Sequence, residues 1–157
     1  MRVGQGWDVH RLMPGGPLRL GGIDIPFDRH LLGHSDGDVV LHAVADALLG
    51  AIAAGDLGTH FPDTDERYRG ADSAHLLGRV VDMLREAGGA VCNVDVTILA
   101  ERPKLAPHVS GIRTRVAAIL GVDVTRIAVK AKTMEGLGAI GSGEAIAALA
   151  VAAVEGG

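Results

Sequence analysis

"GEAIAALAVAAVEGG" (143–157) is the stretch whose reading decides the fold. Its alanines favour a helix. Its unbroken apolar run, Ala145 to Val154, set between glycines, suits a buried strand equally well. The neighbouring segments narrow the choice. "AVCNVDVTILAE" (90–101) alternates and is rich in Val, which predicts a strand. "KLAPHVSGIRTRVAAILG" (104–121) is helical in pattern, with Pro107 near its start. "RIAVKAKTME" (126–135) is another strand. Strand–helix–strand order points to an α/β sandwich with helices on one face of a sheet. Farther back, "SAHLLGRVVDMLREAG" (73–88) is an amphipathic helix, capped by Ser73 and stopped at Gly88. A helix is predicted from Asp38 to about Ala53, and "GDLGTHFPDTDERYRG" (55–70) is a polar loop. "RVGQGWDVHRL" (2–12) and "LRLGGIDIP" (18–26) read as two strands joined by the "MPGG" turn.

The 157 residues fit one domain. Hydrophobic residues make up 48% but aromatics only 3%, so the core must be built from Ala, Val, Leu and Ile. A net charge of -4 gives no general electrostatic footprint for nucleic acid. Cys92 is the single cysteine, which excludes an intrachain disulfide framework. The run from Ala145 to Val154 is too short to span a bilayer, and "MRVGQGWDVH" lacks the apolar region of a signal peptide. A soluble, cytoplasmic protein without a membrane partner is expected.

Chemistry-bearing residues fall into five groups. In "WDVH", Asp8 and His10 point to one face of a strand. With His42 added from the helix, one oxygen and two nitrogens could hold a metal, in a set that suits zinc or non-haem iron. Taken alone, D-x-H describes many ordinary surface strands. In "HSDGDVVLHAVADALLG" (34–50), Asp38, His42 and Asp46 share a helix face. Ser35 and Asp38 read as an approximate capping box, and Asp46 as a partner that orients His42. His34 and Ser35 lie where a helix N-terminus collects anions. The loop aspartates Asp56, Asp63 and Asp65 suit local turns or a polyol ligand. Lys104 sits where strand gives way to helix, a poor place for a cation unless an anion joins it. Lys130 and Lys132 share one strand face, Thr133 and Glu135 the other, before a glycine-rich segment. "GQGWDV" lacks the third glycine of a dinucleotide loop.

Five blocks in order carry a resemblance: "GWDVH" (6–10), "LLGHSDGDVVLHAVADALLGA" (31–51), "GDLGTHFPDTDERYRGADS" (55–73), "NVDVTILAERPKL" (93–105) and "VKAKTMEGLG" (129–138). Together they resemble the 2-C-methyl-D-erythritol 2,4-cyclodiphosphate synthase family over nearly the whole chain. The resemblance implies an α/β (α+β) single domain, with a mixed sheet covered on one face by helices. It implies a homotrimer with active sites between subunits, and a strand at the C-terminus. Asp8, His10 and His42 would bind zinc, with Asp8 and His10 also beside the substrate. His34 and Ser35 would contact its phosphates. Asp56, Leu57, Gly58, Phe61, Pro62, Asp63, Thr64 and Asp65 would hold the methylerythritol end. Ala100, Glu101, Arg102, Pro103, Lys104, Leu105 and Ala106 would form the nucleotide pocket with Lys132, Thr133, Met134 and Glu135. His34 and Thr133 would act catalytically, and Glu135 would hold a second divalent cation, magnesium or manganese. The substrate would be a cytidine diphosphate conjugate that loses CMP. The resemblance departs at Ala139, Ser142 and Leu149, where many family members carry aromatic, basic and acidic residues lining a cavity for isoprenoid diphosphates. Two other readings stand beside it: a non-haem iron oxygenase built on Asp8, His10 and His42, and a non-catalytic trimeric scaffold.

Overall fold

The C-terminal run is a strand, and it lies at the centre of the sheet. In the computed structural model, which describes residues 1–156, β7 (Ala145–Gly156) pairs with β1 (Arg2–Pro14) on one side and β5 (Gly89–Leu99) on the other, both antiparallel. Flanked on both edges and buried along most of its length, this Ala-rich segment has its backbone groups taken up by two neighbours, and that overrides its helical propensity. β6 (Ile127–Lys132) runs parallel to β5, and β4 (Arg29–Leu31) adds to the far edge, giving the order β4-β1-β7-β5-β6. The sheet is mixed and the chain is a single α+β domain.

Three helices cover one face. α1 (Val39–Ala51) packs on β1 and β7, while α3 (Ser73–Glu86) and α4 (Val109–Leu120) lie over β5 and β6. The other face is bare of helices among the described residues. Val3, Trp7, Val9 and Val151 project from it exposed, with Trp7 49% accessible. Beyond β6, Leu137 is 69% accessible.

Several expectations need correction. "LRLGGIDIP" is a hairpin of its own, β2 (Leu18–Leu20) and β3 (Ile23–Ile25), because Gly21 and Gly22 both take positive φ, as a tight two-residue turn requires. Asp72, not Ser73, caps α3; its carboxylate accepts from the Ala74 amide, and Ser73 is the first helical residue. The strand expected to reach residue 135 ends at Lys132. Glu135 and Gly136 take positive φ in a turn closed by the Leu137 amide donating to the Met134 carbonyl, so Thr133 and Glu135 do not share a strand face. The helix expected from residue 104 begins as a 3-10 turn at Ala106–His108. Two short helices, α2 (Leu57–His60) and α5 (Gly138–Gly141), carry no periodicity long enough to read.

Asp38 caps α1, not Ser35. It is fully buried and accepts from the Leu41, Gly21 and Gly22 amides at 3.1, 2.9 and 2.7 Å. One carboxylate thus ties the start of α1 to the β2–β3 turn. Asp38→Ala strands three buried donors; losing the cap costs about 0.5–2 kcal/mol and each further orphaned amide about 1–3 kcal/mol. Denaturant unfolding should show a loss of about 2.5–8 kcal/mol. A loss below about 1 kcal/mol would mean water replaces the carboxylate.

Candidate active site

Gly4 and Gly6 decide where α1 lies. A Cβ on Gly6 would sit 1.9 Å from the Ala43 carbonyl oxygen, and one on Gly4 1.9 Å from that of Ala47. The helix backbone therefore rests directly on β1. His42, beside Ala43, meets Asp8 and His10, which follow Gly4 and Gly6 on the same strand face.

The three side chains converge. Asp8 Oδ2 lies 2.8 Å from His10 Nε2 and 3.0 Å from His42 Nδ1, and the two nitrogens are 3.2 Å apart. Donor atoms about 2.0–2.2 Å from a tetrahedral metal lie roughly 3.3–3.5 Å from one another. A small outward relaxation would admit a zinc-sized ion, and one carboxylate with two imidazoles is a fitting donor set. Burial pushes the Asp8 carboxyl up, but hydrogen bonds from His10 and His42 prevail and hold it down at about 2. His10 is shifted upward, chiefly by its bond to Asp8, against the opposing effect of burial.

The outer nitrogen of His42 is also engaged. Nε2 lies 2.8 Å from Ser73 Oγ and 3.0 Å from Ser35 Oγ. Asp46 does not orient the ring, contrary to expectation. Both ring nitrogens are already taken, and the Asp46 carboxylate accepts from the Leu57 amide at 2.7 Å, fixing the start of α2.

The triad opens into a cavity of about 510 Å³. His34, Ser35 and Asp46 line it near the triad; Asp56, Leu57 and Gly58 form one wall, and Phe61, Pro62 and Asp63 another. Thr64 and Asp65 do not line it. The Asp65 carboxylate accepts from the Arg67 amide and guanidinium, while its carbonyl lies 3.4 Å from His34 Nε2. Tyr68 and Leu76 complete the wall, and Phe61 packs edge-on against Tyr68 with centroids 5.3 Å apart. Neither Tyr68 nor Leu76 stands out in the sequence, since nothing in a loop or a helix repeat says which apolar side chain faces a cavity.

A second cluster forms where β5 and β6 end side by side. The Ala100 amide donates to the Lys132 carbonyl at 2.9 Å, and the Met134 amide to Glu101 Oε2 at 3.2 Å. Thr133 Oγ1 donates to Glu135 Oε1 at 3.3 Å. Leu105 is buried beneath, leaving Arg102, Pro103, Lys104 and Ala106 as an accessible rim beside the exposed Lys132. None of residues 100–106 or 132–135 lines the triad's cavity. Within one chain, the expected site residues form two separate halves.

The family model described as YgbB matches residues 1–155. The chain belongs to the YgbB family. This YgbB chain is 59% identical over 151 residues to the 2-C-methyl-D-erythritol 2,4-cyclodiphosphate synthase of Trichlorobacter lovleyi, covering 96% of each. It is similar, with TM-score 0.90 and 37% identity, to a structure of 2C-methyl-D-erythritol-2,4-cyclodiphosphate synthase in a CDP-bound form, covering 98% of this chain and all of that one. It is also similar to the bifunctional IspDF of Campylobacter jejuni, with TM-score 0.95 and 39% identity; it spans 99% of its own length and 42% of that longer chain.

Proposed function

We propose that this YgbB chain is a 2-C-methyl-D-erythritol 2,4-cyclodiphosphate synthase, a phosphorus–oxygen lyase of non-mevalonate isoprenoid precursor synthesis. The observation that carries the reading is the Asp8–His10–His42 triad opening into a cavity walled by His34, Ser35, Asp56–Gly58 and Phe61–Asp63, in a chain so similar to curated synthases. The substrate is 4-diphosphocytidyl-2-C-methyl-D-erythritol 2-phosphate. Its 2-phosphate attacks the β-phosphorus, the bond to the CMP phosphate breaks, and CMP leaves with the electron pair.

The nucleophile is already anionic, so no serine or cysteine paired with a base is needed. What the chain must supply is positioning and charge. Asp8, His10 and His42 would hold zinc, and Glu135 a second divalent cation. When bound, such cations neutralise phosphate charge and template the two groups. His34 and Ser35 position the phosphates at the cavity mouth. Asp56, Leu57 and Gly58, with Phe61–Asp63, hold the polyol. Residues 100–106 with Lys132, Thr133 and Met134 grip the cytidine diphosphate, Thr133 next to the reacting phosphorus.

The separation of these two groups supports a site completed by a neighbouring copy. In a homotrimer, the bare sheet face with Trp7 and Val151 would be covered, and one copy's 100–106 and 132–135 segments would meet the next copy's cavity. On this reading the protein acts in the cytoplasm, on a small nucleotide-linked substrate.

The deciding assay follows CMP release from the named substrate, with elemental analysis of the purified protein. CMP release with bound zinc supports the lyase; iron and no CMP would revive the oxygenase. An intact trimer that binds CDP without turnover would mark a scaffold. Mixed trimers test the shared site: His42→Ala and Lys132→Ala/Thr133→Ala should each be inactive alone, while co-assembled chains regain part of the activity. Verified mixed trimers with no activity would refute intersubunit sites. Ser142 offers no cation near Ala139; its hydroxyl is spent on the Ala139 carbonyl at 3.1 Å or Glu144 at 2.8 Å. Calorimetry should therefore show no tight binding of geranyl diphosphate.

A further inference from the structure

The hydrogen bonds behind His42 can be assigned donor by donor. Asp36 accepts from the Ser73 amide at 3.1 Å and also from the Ser73 hydroxyl. An ionised carboxylate only accepts. The single hydroxyl proton of Ser73 is therefore committed to Asp36. Ser73 Oγ then has only lone pairs left, and His42 Nε2 at 2.8 Å must be the donor. Nε2 is thus committed as a donor, and Nδ1 is the nitrogen left facing Asp8 Oδ2 at 3.0 Å and His10 Nε2 at 3.2 Å, where a metal would take its lone pair.

We propose that Asp36 and Ser73 are positioning residues that fix the tautomer and ring plane of His42, so that Nδ1 is presented to the metal. Three observations carry this beyond a helix-start contact. Ser73 is fully buried and sits at the first turn of α3, where Asp36 also satisfies its free amide. The two chain segments are fastened together by backbone bonds: the Asp36 amide donates to the Ala71 carbonyl at 3.0 Å, and Gly70 to His34 at 2.8 Å. The relay therefore has little freedom to turn away. Asp36 in turn is held in place from its other side, 3.9 Å from the Arg19 guanidinium.

Ser35 is the alternative partner, 3.0 Å from the same nitrogen. It lines the cavity, whereas Ser73 does not, and its proton is not committed to a carboxylate. The geometry divides the two serines: Ser73 holds the ring, and Ser35 stays free to turn toward a ligand.

The inference rests on reading Asp8, His10 and His42 as a metal site, and two measurements separate its failure from that one. The first is a zinc competition titration. Removing a partner that orients a ligating histidine weakens metal affinity roughly 10–100-fold. Ser73→Ala should show such a loss while keeping native circular dichroism, and Ser35→Ala should stay within about threefold of the unmutated protein, well short of that range. Asp36→Asn should fall between them, since its amide can still hold Ser73. Native zinc affinity in Ser73→Ala, or an equal loss in Ser35→Ala, overturns the relay while leaving the metal site intact. Unmutated protein that takes up no zinc overturns both. The second measurement needs neither metal nor variant. Long-range proton–nitrogen correlation spectra of the metal-free protein should show a proton on His42 Nε2, whether or not Nδ1 also carries one toward Asp8. A neutral ring carrying its proton on Nδ1 overturns the assignment even if Ser73→Ala fails to fold.

Discussion

Replacing His42 with alanine is expected to abolish CMP release while leaving a folded protein. The imidazole supplies one of three converging donor atoms, and two remaining donors form a poor zinc site. Metal-borne charge stabilisation is worth several kcal/mol at the transition state, and each 1.36 kcal/mol is tenfold in rate. The expected loss is therefore about 10³-fold or more in kcat/KM. Stability should fall far less. His42 is only partly enclosed, and its removal leaves Ser35 and Ser73 able to bond each other at 3.3 Å. The check is steady-state CMP release beside a thermal melt and a zinc titration. Turnover near the native rate would sink the metal assignment, and with it the proposed role of the triad.

Gly6→Ala should damage both fold and site, because one contact serves both. The new Cβ meets backbone atoms of Ala43 at 1.9 and 2.8 Å, and a backbone cannot swing aside as a side chain does. Either α1 must move outward or the strand must buckle. Overpacking of this kind costs about 1–3 kcal/mol, and more where backbone is involved. At about 3 kcal/mol, a domain of this length loses roughly 6–12 °C in Tm. The same displacement carries His42 away from Asp8 and His10, and a misplacement of about 1 Å costs on the order of 10²-fold in rate. Weakened zinc binding should accompany the lower Tm. Native zinc affinity in a destabilised Gly6→Ala protein would show that the triad tolerates helix movement, and that glycine at this position serves the fold alone.

"GQG" illustrates how a pattern can be informative only about what it excludes. It rules out a dinucleotide loop, yet nothing in it tells of a helix pressing on the strand. Close approach is a property of two elements, and the glycines record only one side of it. Asp46 shows the same limit in reverse. The i, i+4 spacing places it on the His42 face, but helix geometry does not say which nitrogen of a ring is free. His42 has no nitrogen left, and Asp46 turns to Leu57. Ser73 has the residue type of a cap, because Ser before an apolar run usually is one. Asp72 takes that place, since its backbone is extended while Ser73 is already helical.

The sequence by itself determined the residue types able to carry phosphate chemistry, the strand-borne pairing of Asp8 with His10, the helix bearing His42, and the helices on one face. These follow from local periodicity and spacing, which act within a few residues. Local preference left the alanine-rich tail open, and the family resemblance implied a strand. The tertiary structure decided that this strand is central in the sheet, that Ser73 and Asp36 stand behind His42, and that the expected site residues of one chain lie in two separate groups. Each of those depends on which distant segments pack together, and packing outweighs local preference once a segment is buried between partners.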